Sequence, residues 1–392
     1  MNGTFPVPNK EKDRSFPGRC VLVNFSGGEY AFSINDKISA QYAALNLNGV
    51  PTSLVLVSPD GIKMFRDGEP ITSCEGDGKR FGPGLMLIRL VQAWRFLKGL
   101  DDGRTMFYVR HPSVAEMPLI MRFGRRNIVL ELNGVYELEI EGGSLKGRCR
   151  LLFDRFLNRR GFKAAKGAVV VTGEIGNMLP LDRYGIANRT IITNGIDVDS
   201  YALRRPSASE GSKVKLLAVA NFNRWHGYDR VLEAMKGSDP SRIELHLVGD
   251  GPEKDNLVRL ASDLSVSNAI FHPPLKRKEL DQLFDECDAA FGVLSLDRKG
   301  LREMCPLKHR EYCARGMPFI YAGLDLDIPP DSPYALRLSQ DGDLSIKIIT
   351  EFALRTRDAV DHPKLMRRFA TDSLDWKVKA KELSFFLRSV LS

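Results

Sequence analysis

The chain is 392 residues long, 43% hydrophobic and 27% charged, too apolar for a disordered or fibrous protein and long enough that two cores are expected. Its six cysteines, Cys20, Cys74, Cys149, Cys287, Cys305 and Cys313, show no CxxC or other metal-ligand spacing, which argues against a zinc module or disulfide framework and fits a reducing cytoplasm. The net charge of +8 points to anionic partners, whether phosphates, nucleic acid or a lipid surface, and no signal-peptide core or membrane-length apolar run is present, so a soluble or peripheral protein is expected.

After a loose leader over residues 1–18, CVLVNFSGG (Cys20 to Gly28) reads as a buried strand ending in two glycines, with a helix from about Asn35 to Asn48. That is the opening of a doubly wound sheet. TSLVLVSP is a second strand. Residues 60–84, rich in glycine and charge, read as a mobile loop, and Leu85 to Leu100 carries helical periodicity. TMFYVRHP, NIVLELNG and GAVVVTGE are further strands alternating with helices, the pattern of a parallel α/β domain.

From Ser144 to Lys166, the residues Cys149, Leu152, Phe153, Phe156 and Leu157 share one helical face. Eight lysines and arginines surround them against Asp154 alone, and Arg122, Arg125 and Arg126 add to the same field. A basic amphipathic helix of this kind either lies on an anionic membrane or packs on the core with a solvated charged side.

TIITNGIDVDSY runs a strand into an Asn-Gly turn, and the polar SASEGSK that follows places a domain boundary near residues 198–212. Beyond it the alternation restarts: VKLLAVAN, a helix around Asp229 to Lys236, IELHLVGDGPE, a helix from Pro252 to Leu264, AIFHPP, a helix from Arg277 to Cys287, and AAFGVLSL. This predicts a second Rossmann-like unit. The stretch Leu301 to Gly323 then reads as loop, helix and strand, with Pro306 at the first helical position and Gly316 and Pro318 ending the helix. Glu303 lies in the loop and Glu311 in the helix, seven residues between them, and Lys308 sits in the first turn. A lysine beside unpaired helix N–H groups makes an anion site, unless this is a surface helix with solvated charges. At the C-terminus, Trp376, Ala380, Leu383, Leu387 and Val390 recur at helical spacing.

In this order the elements resemble the GT-B-fold retaining glycosyltransferases of the large E-x7-E family, the glycosyl transferases of group 1, from about Cys20 onward. ITNGIDVDSY resembles the family's linker signature, LHLVGDGPEKDNL its helix-entry loop, and AIFHPPLKRKELDQLFDECDAAFGVL the segment before the active loop. DWKVKAKELSFFL is similar to the helix that crosses back to the N-terminal domain. The resemblance implies an N-terminal domain over residues 19–200 on the acceptor side, a nucleotide-sugar domain over 201–371, a cleft between them and a crossover helix over 372–392.

It also implies roles. Glu311 matches the glutamate that binds the nucleotide ribose, and Glu303 the one near the donor sugar. Cys305, Pro306 and Leu307 would face the diphosphate through the backbone, His111 would face the donor sugar, and Gly27 and Gly28 would form the first-strand glycine loop. The family carries an Arg and a Lys after the first strand of its second domain, whereas VANFNRWHGYDR places Asn221 and His226 there. Arg224 and Lys308 are the nearest substitutes. The WHG and PLK-x-x-EY variants resemble members from capsular and exopolysaccharide clusters.

The reaction so implied moves a hexose from a UDP- or GDP-linked donor to a glycan or lipid-linked saccharide with retention, the departing phosphate taking the acceptor proton. No cofactor is called for and a divalent metal is dispensable. The cytoplasm, with peripheral contact through residues 144–166 to the inner face of the membrane, is the expected location. Rival readings are a GT-B-fold nucleotide-sugar epimerase and a catalytically silent sugar-nucleotide or polysaccharide-binding scaffold. Nucleic-acid binding ranks last, because no such motif accompanies the charge.

Overall fold

A computed structural model of the protein describes residues 16–25, 32–58, 61–75, 83–110, 127–135, 138, 152, 156, 159–179, 181–205, 213–359 and 361–391. The chain divides into two compact units: Met1–Asp197 with Trp376–Ser392, and Val198–Asp375.

In the first unit β1 (Arg19–Phe25), β2 (Thr52–Ser58), β5 (Thr105–Arg110), β6 (Ile128–Leu132), β7 (Gly167–Val170) and β8 (Asn188–Ile191) run parallel. Two more strands, β3 (Gly61–Arg66) and β4 (Glu69–Glu75), add antiparallel at one edge, giving the order β4-β3-β2-β1-β5-β6-β7-β8. This hairpin corrects the expected loop over residues 60–84. Asp67 and Gly68, at φ 53° and 84°, make the left-handed two-residue turn that matches strand twist, and Ile62 and Met64 alternate into the core.

Helices α1 (Phe32–Leu47), α2 (Pro83–Gly99) and α3 (Gly173–Met178) belong to this unit. Ile38, Tyr42 and Leu45 of α1 pack with Leu22, Tyr108 and Val129 of the sheet. Lys37 and Gln41, also on α1, reach a buried carboxylate on β6: Lys37 ion-pairs with Glu131, and Gln41 Nε2 and the Tyr108 hydroxyl donate to it at 2.8 and 2.6 Å. Burial alone would raise the Glu131 pKa, but the Lys37 ammonium and the hydrogen bonds bring it down to about 2.

The segment of 144–166 lies largely outside the described residues, as do Arg122, Arg125 and Arg126. Within it Leu152 and Phe156 are 67% and 48% exposed, while Phe162, in a helical run over 159–164, is buried. No described helix is long and apolar enough to cross a membrane.

The second unit is a parallel sheet of β9 (Val214–Asn221), β10 (Ile243–Asp250), β11 (Ala269–His272), β12 (Ala289–Phe291), β14 (Phe319–Ala322) and β16 (Ala335–Leu338), in the order β11-β10-β9-β12-β14-β16. Around it stand α4 (Tyr228–Ala234), α5 (Lys254–Asp263), α6 (Arg277–Glu286), α7 (Leu307–Arg315), α8 (Ile346–Asp358) and α9 (His362–Phe369). The sheet grows from β9 outward through β10 and β11, then restarts on β9's other side with β12. That reversal is a topological switch point, and the crevice beyond the carboxyl ends of β9 and β12 is where such sheets bind ligands.

After Asp375 the chain re-enters the first unit as α10 (Trp376–Leu391), whose Trp376, Ala380, Leu383, Leu387 and Val390 are buried, the lower three in the core with Ile38 and Leu45. The Trp376 N–H donates to Ile196 O at 2.9 Å, joining the two ends of the connection.

Candidate functional site

Three segments of the second unit converge at the switch point: the loop after β9, the loop after β10 and the chain from β12 into α7. Gly251 shows how closely the first two approach, since it sits at φ 142° and a Cβ there would collide with Phe222 N and the Asn221 side chain.

Glu303, expected in a loop, lies in a two-residue strand, β13 (Glu303–Met304), paired in parallel with β15 (Leu324–Asp325). Pro306 stands one step before the helix, extended at φ −76° and ψ 141°, instead of at its first position. Proline also has no N–H, so the anion-facing donors of the first turn are those of Leu307, Lys308 and His309. Gly316, at φ 71°, ends the helix where a side chain would overlap Pro363.

A buried ionic cluster fixes α7 in place. Arg310 grips Asp325 with two hydrogen bonds of 2.5 and 2.8 Å and also reaches Asp327, while His309 Nδ1 lies 2.8 Å from Asp325 Oδ2. Burial would raise the Asp325 carboxyl, but the Arg310 guanidinium and the His309 hydrogen bond hold it well below the usual carboxylate range. Tyr312 donates to Phe291 O at 3.0 Å, tying the helix to β12.

Lys308, half-buried in the first turn, donates from Nζ to the Tyr228 hydroxyl at 3.2 Å. Removal from water pushes its pKa down to about 7 against the pull of Glu311. Tyr228 in turn stacks on His226, ring centres 5.5 Å apart. His226 is buried, and its Nδ1 accepts the Asn223 N–H at 3.1 Å, so the proton of the neutral ring is on Nε2. Burial, then Lys308 and Lys299, hold this imidazole well below its ordinary pKa. Asn221 and Arg224 of the same loop are exposed. Arg224 lines a cavity of about 290 Å³ with Asn223, Tyr228, Asn256 and Arg298.

Glu311 faces the same way one turn on from Lys308, half-buried, its Oε1 accepting from Arg315 Nε at 2.7 Å. Thus Glu303, Pro306, Leu307, Lys308 and Glu311 share one strand–helix element, and Asn221, Arg224 and His226 share the loop after β9, joined to it through Tyr228. His111, Gly27 and Gly28 lie outside the described residues. Sequence reasoning missed Tyr228, Arg315, Arg310 and Asp325; only the Glu311–Arg315 spacing of four carried a signal. Among the described residues no group of His, Cys, Asp or Glu is placed to hold a metal ion.

Residues 199–322 match the family model described as Glycosyl transferases group 1. No curated protein matches the chain in sequence. Among solved structures, sucrose-phosphate synthase from Thermosynechococcus elongatus is similar at a TM-score of 0.64 with 13% identity, over 93% of this chain and 97% of that one. The catalytic domain of starch synthase IV from Arabidopsis thaliana, solved with ADP and acarbose, is similar at 0.65 with 12% identity, over 95% and 99%. Anabaena HepE, solved with UDP and glucose, is similar at 0.59 with 14% identity, over 93% and 98%. The chain therefore has the two-domain GT-B fold of these proteins, and its second unit carries the sequence pattern of the glycosyl transferases of group 1.

Proposed function

We propose that the protein is a retaining glycosyltransferase that moves a hexose from a nucleoside-diphosphate sugar, UDP- or GDP-linked, to a hydroxyl of a glycan or lipid-linked saccharide in cell-surface polysaccharide synthesis. The observation that carries the reading is the first turn of α7. There a lysine whose hydrogen bond goes to a phenol, not a carboxylate, stands among unpaired helix N–H groups, three residues before Glu311. In this reading Glu311 accepts from the ribose hydroxyls. The diphosphate lies against the first turn and Lys308, and Glu303 faces the donor sugar. Negative charge grows on the departing diphosphate, so N–H groups and a cation already aimed at it lower the barrier without reorganising. The leaving phosphate oxygen takes the acceptor's proton as the new glycosidic bond forms on the same face, which needs neither a protein nucleophile nor a divalent ion. The described residues of 144–166 support a membrane-side acceptor, with Leu152 and Phe156 exposed beside Arg159 and Arg160.

The test is release of nucleoside diphosphate from UDP- and GDP-hexoses with a lipid-linked saccharide pool, run with EDTA and followed by anomeric analysis of the product. A second reading, a donor-binding scaffold without turnover, is favoured by one observation: Asn221 and a neutral, buried His226 occupy the positions of the family's two cations. Donor binding with no diphosphate release in any acceptor would establish it. Turnover with an inverted product would refute retention alone.

A further inference from the structure

Glu311 and Arg315 form more than a surface pair one helical turn apart. Arg315 Nε donates to Glu311 Oε1 at 2.7 Å, and a terminal nitrogen reaches Asp281 of α6 at 2.5 Å. The Arg315 side chain is only 2% exposed. Its guanidinium carbon lies 5.2 Å from the centre of the Tyr201 ring and 4.5 Å from that of Phe284. A solvated arginine swings among rotamers, but this one is held by a carboxylate at each end and an aromatic ring at either side.

The Glu311 carboxylate inherits that rigidity. Oε1 is pinned to Arg315, and among the described residues Oε2 has no hydrogen-bond partner, although the side chain is 23% exposed. The two neighbouring hydroxyls of a ribose can both donate to one carboxylate only when its plane is turned towards the diol. Rotated about its last torsion, the same carboxylate meets one hydroxyl and leaves the other to water.

Resting on the donor reading above, we infer that Arg315, backed by Asp281, is the positioning residue that sets the Glu311 carboxylate plane for a vicinal diol and so makes the site prefer a ribonucleotide to a deoxyribonucleotide. Arg315 touches no substrate in this arrangement. It acts through Glu311, at the cost of no mobility in the bound state, because its own contacts exist before the ligand arrives. An arginine that served only to brace the end of α7 against α6 would affect folding and every nucleotide alike.

The experiment measures, by calorimetry on the full chain, the affinities of UDP, GDP and ADP, and then of the 2′-deoxy form of whichever binds tightest. In the wild-type protein the ribonucleotide binds more tightly. In Arg315→Met its affinity drops roughly tenfold, the scale of one charge-assisted hydrogen bond, while that of the deoxy form changes less than about twofold, so the ratio collapses. Arg315→Lys keeps one donor but cannot span Glu311 and Asp281, and it restores part of the ratio. Asp281 is one-third exposed, so Asp281→Asn spares the fold and narrows the ratio in the same direction should Arg315→Met fail to fold. Equal weakening of both nucleotides in Arg315→Met and Asp281→Asn overturns the inference. A wild type that binds a diphosphate with no preference for the ribose form overturns it too, leaving the donor reading intact, whereas a wild type that binds none of the three overturns both.

Discussion

The ammonium of Lys308 donates to the hydroxyl of Tyr228 at 3.2 Å, so a cation in the first turn of a helix rests on a neutral group carried by a different segment. No carboxylate among the described residues is hydrogen-bonded to it, so an arriving anion does not have to displace one. Replacing it with methionine is expected to lower turnover about a hundredfold, the scale of one lost transition-state donor, and to change nucleotide affinity much less. The comparison is Lys308→Met against Arg224→Met and His226→Gln, with turnover and affinity measured separately. Full turnover in Lys308→Met with none in Arg224→Met would move the role to the loop after β9.

The same lysine sets a pH dependence. Its pKa is about 7 in the folded protein against an ordinary 10.5, so the ammonium costs stability in full below pH 7, and the cost fades as pH rises from 7 towards 10.5. Lys308→Met should therefore melt higher than wild type at pH 6, with the gap closing above pH 7. A bound diphosphate raises the lysine's pKa, so wild-type nucleotide affinity should fall as pH climbs above about 7. Burial and the neighbouring lysines hold His226 well below its ordinary 6.5, and an affinity that falls with rising pH only below that ordinary value would implicate it instead.

Glu311→Ala removes charge-assisted hydrogen bonds worth about 1.5–3 kcal/mol each, so nucleoside-diphosphate affinity should drop at least tenfold, roughly. Calorimetry on the folded variant checks this, and unchanged affinity would remove the ribose assignment.

In the first unit, Lys37→Met strands the buried Glu131 carboxylate, at a cost of about 3–5 kcal/mol. Glu131 titrates near 2 in the folded protein against an ordinary 4.5, so its contribution is whole above pH 4.5 and is lost as pH falls towards 2. Acid titration should show the variant unfolding at a higher pH than wild type. Coincident acid midpoints would mean that Lys37 does not hold Glu131 ionised.

Vesicles containing anionic lipid should sediment the protein more than neutral ones, with about 1 kcal/mol for each well-placed lysine or arginine and a decline with salt. Changing Leu152 and Phe156 to serine should weaken that binding. Equal sedimentation with neutral vesicles would count against a membrane-side acceptor.

Much of the fold was legible because local patterns and tertiary packing agree. The strands with continuous apolar runs, the glycine that ends α7 and the stripe of α10 each need only neighbours within a turn or two. The hairpin at Asp67–Gly68 carried its turn signal in plain sight, but the charge of residues 60–84 outweighed it. The segment containing β16, α8 and α9 went unread, since β16 alternates only weakly and the apolar face of α8 shares its core with strands far away in sequence. The site divides similarly. Spacing exposes Glu303 and Glu311, whereas Tyr228 lies 80 residues from Lys308 and Asp281 lies 34 from Arg315, separations at which periodicity is silent. His226 differs in kind: the sequence gives it no fixed charge, and burial and the Asn223 N–H are what reveal a neutral ring.

Because α10 completes the first unit after all of the second has been threaded, residues 376–391 leave the ribosome only after residues 198–375, which can already have collapsed. Until then Ile38 and Leu45 lack the leucines that cover them. The first unit thus waits, with an apolar helix face bare to chaperones, until α10 has been made. A premature stop just before Trp376 would leave a well-formed second unit tethered to an unfinished partner.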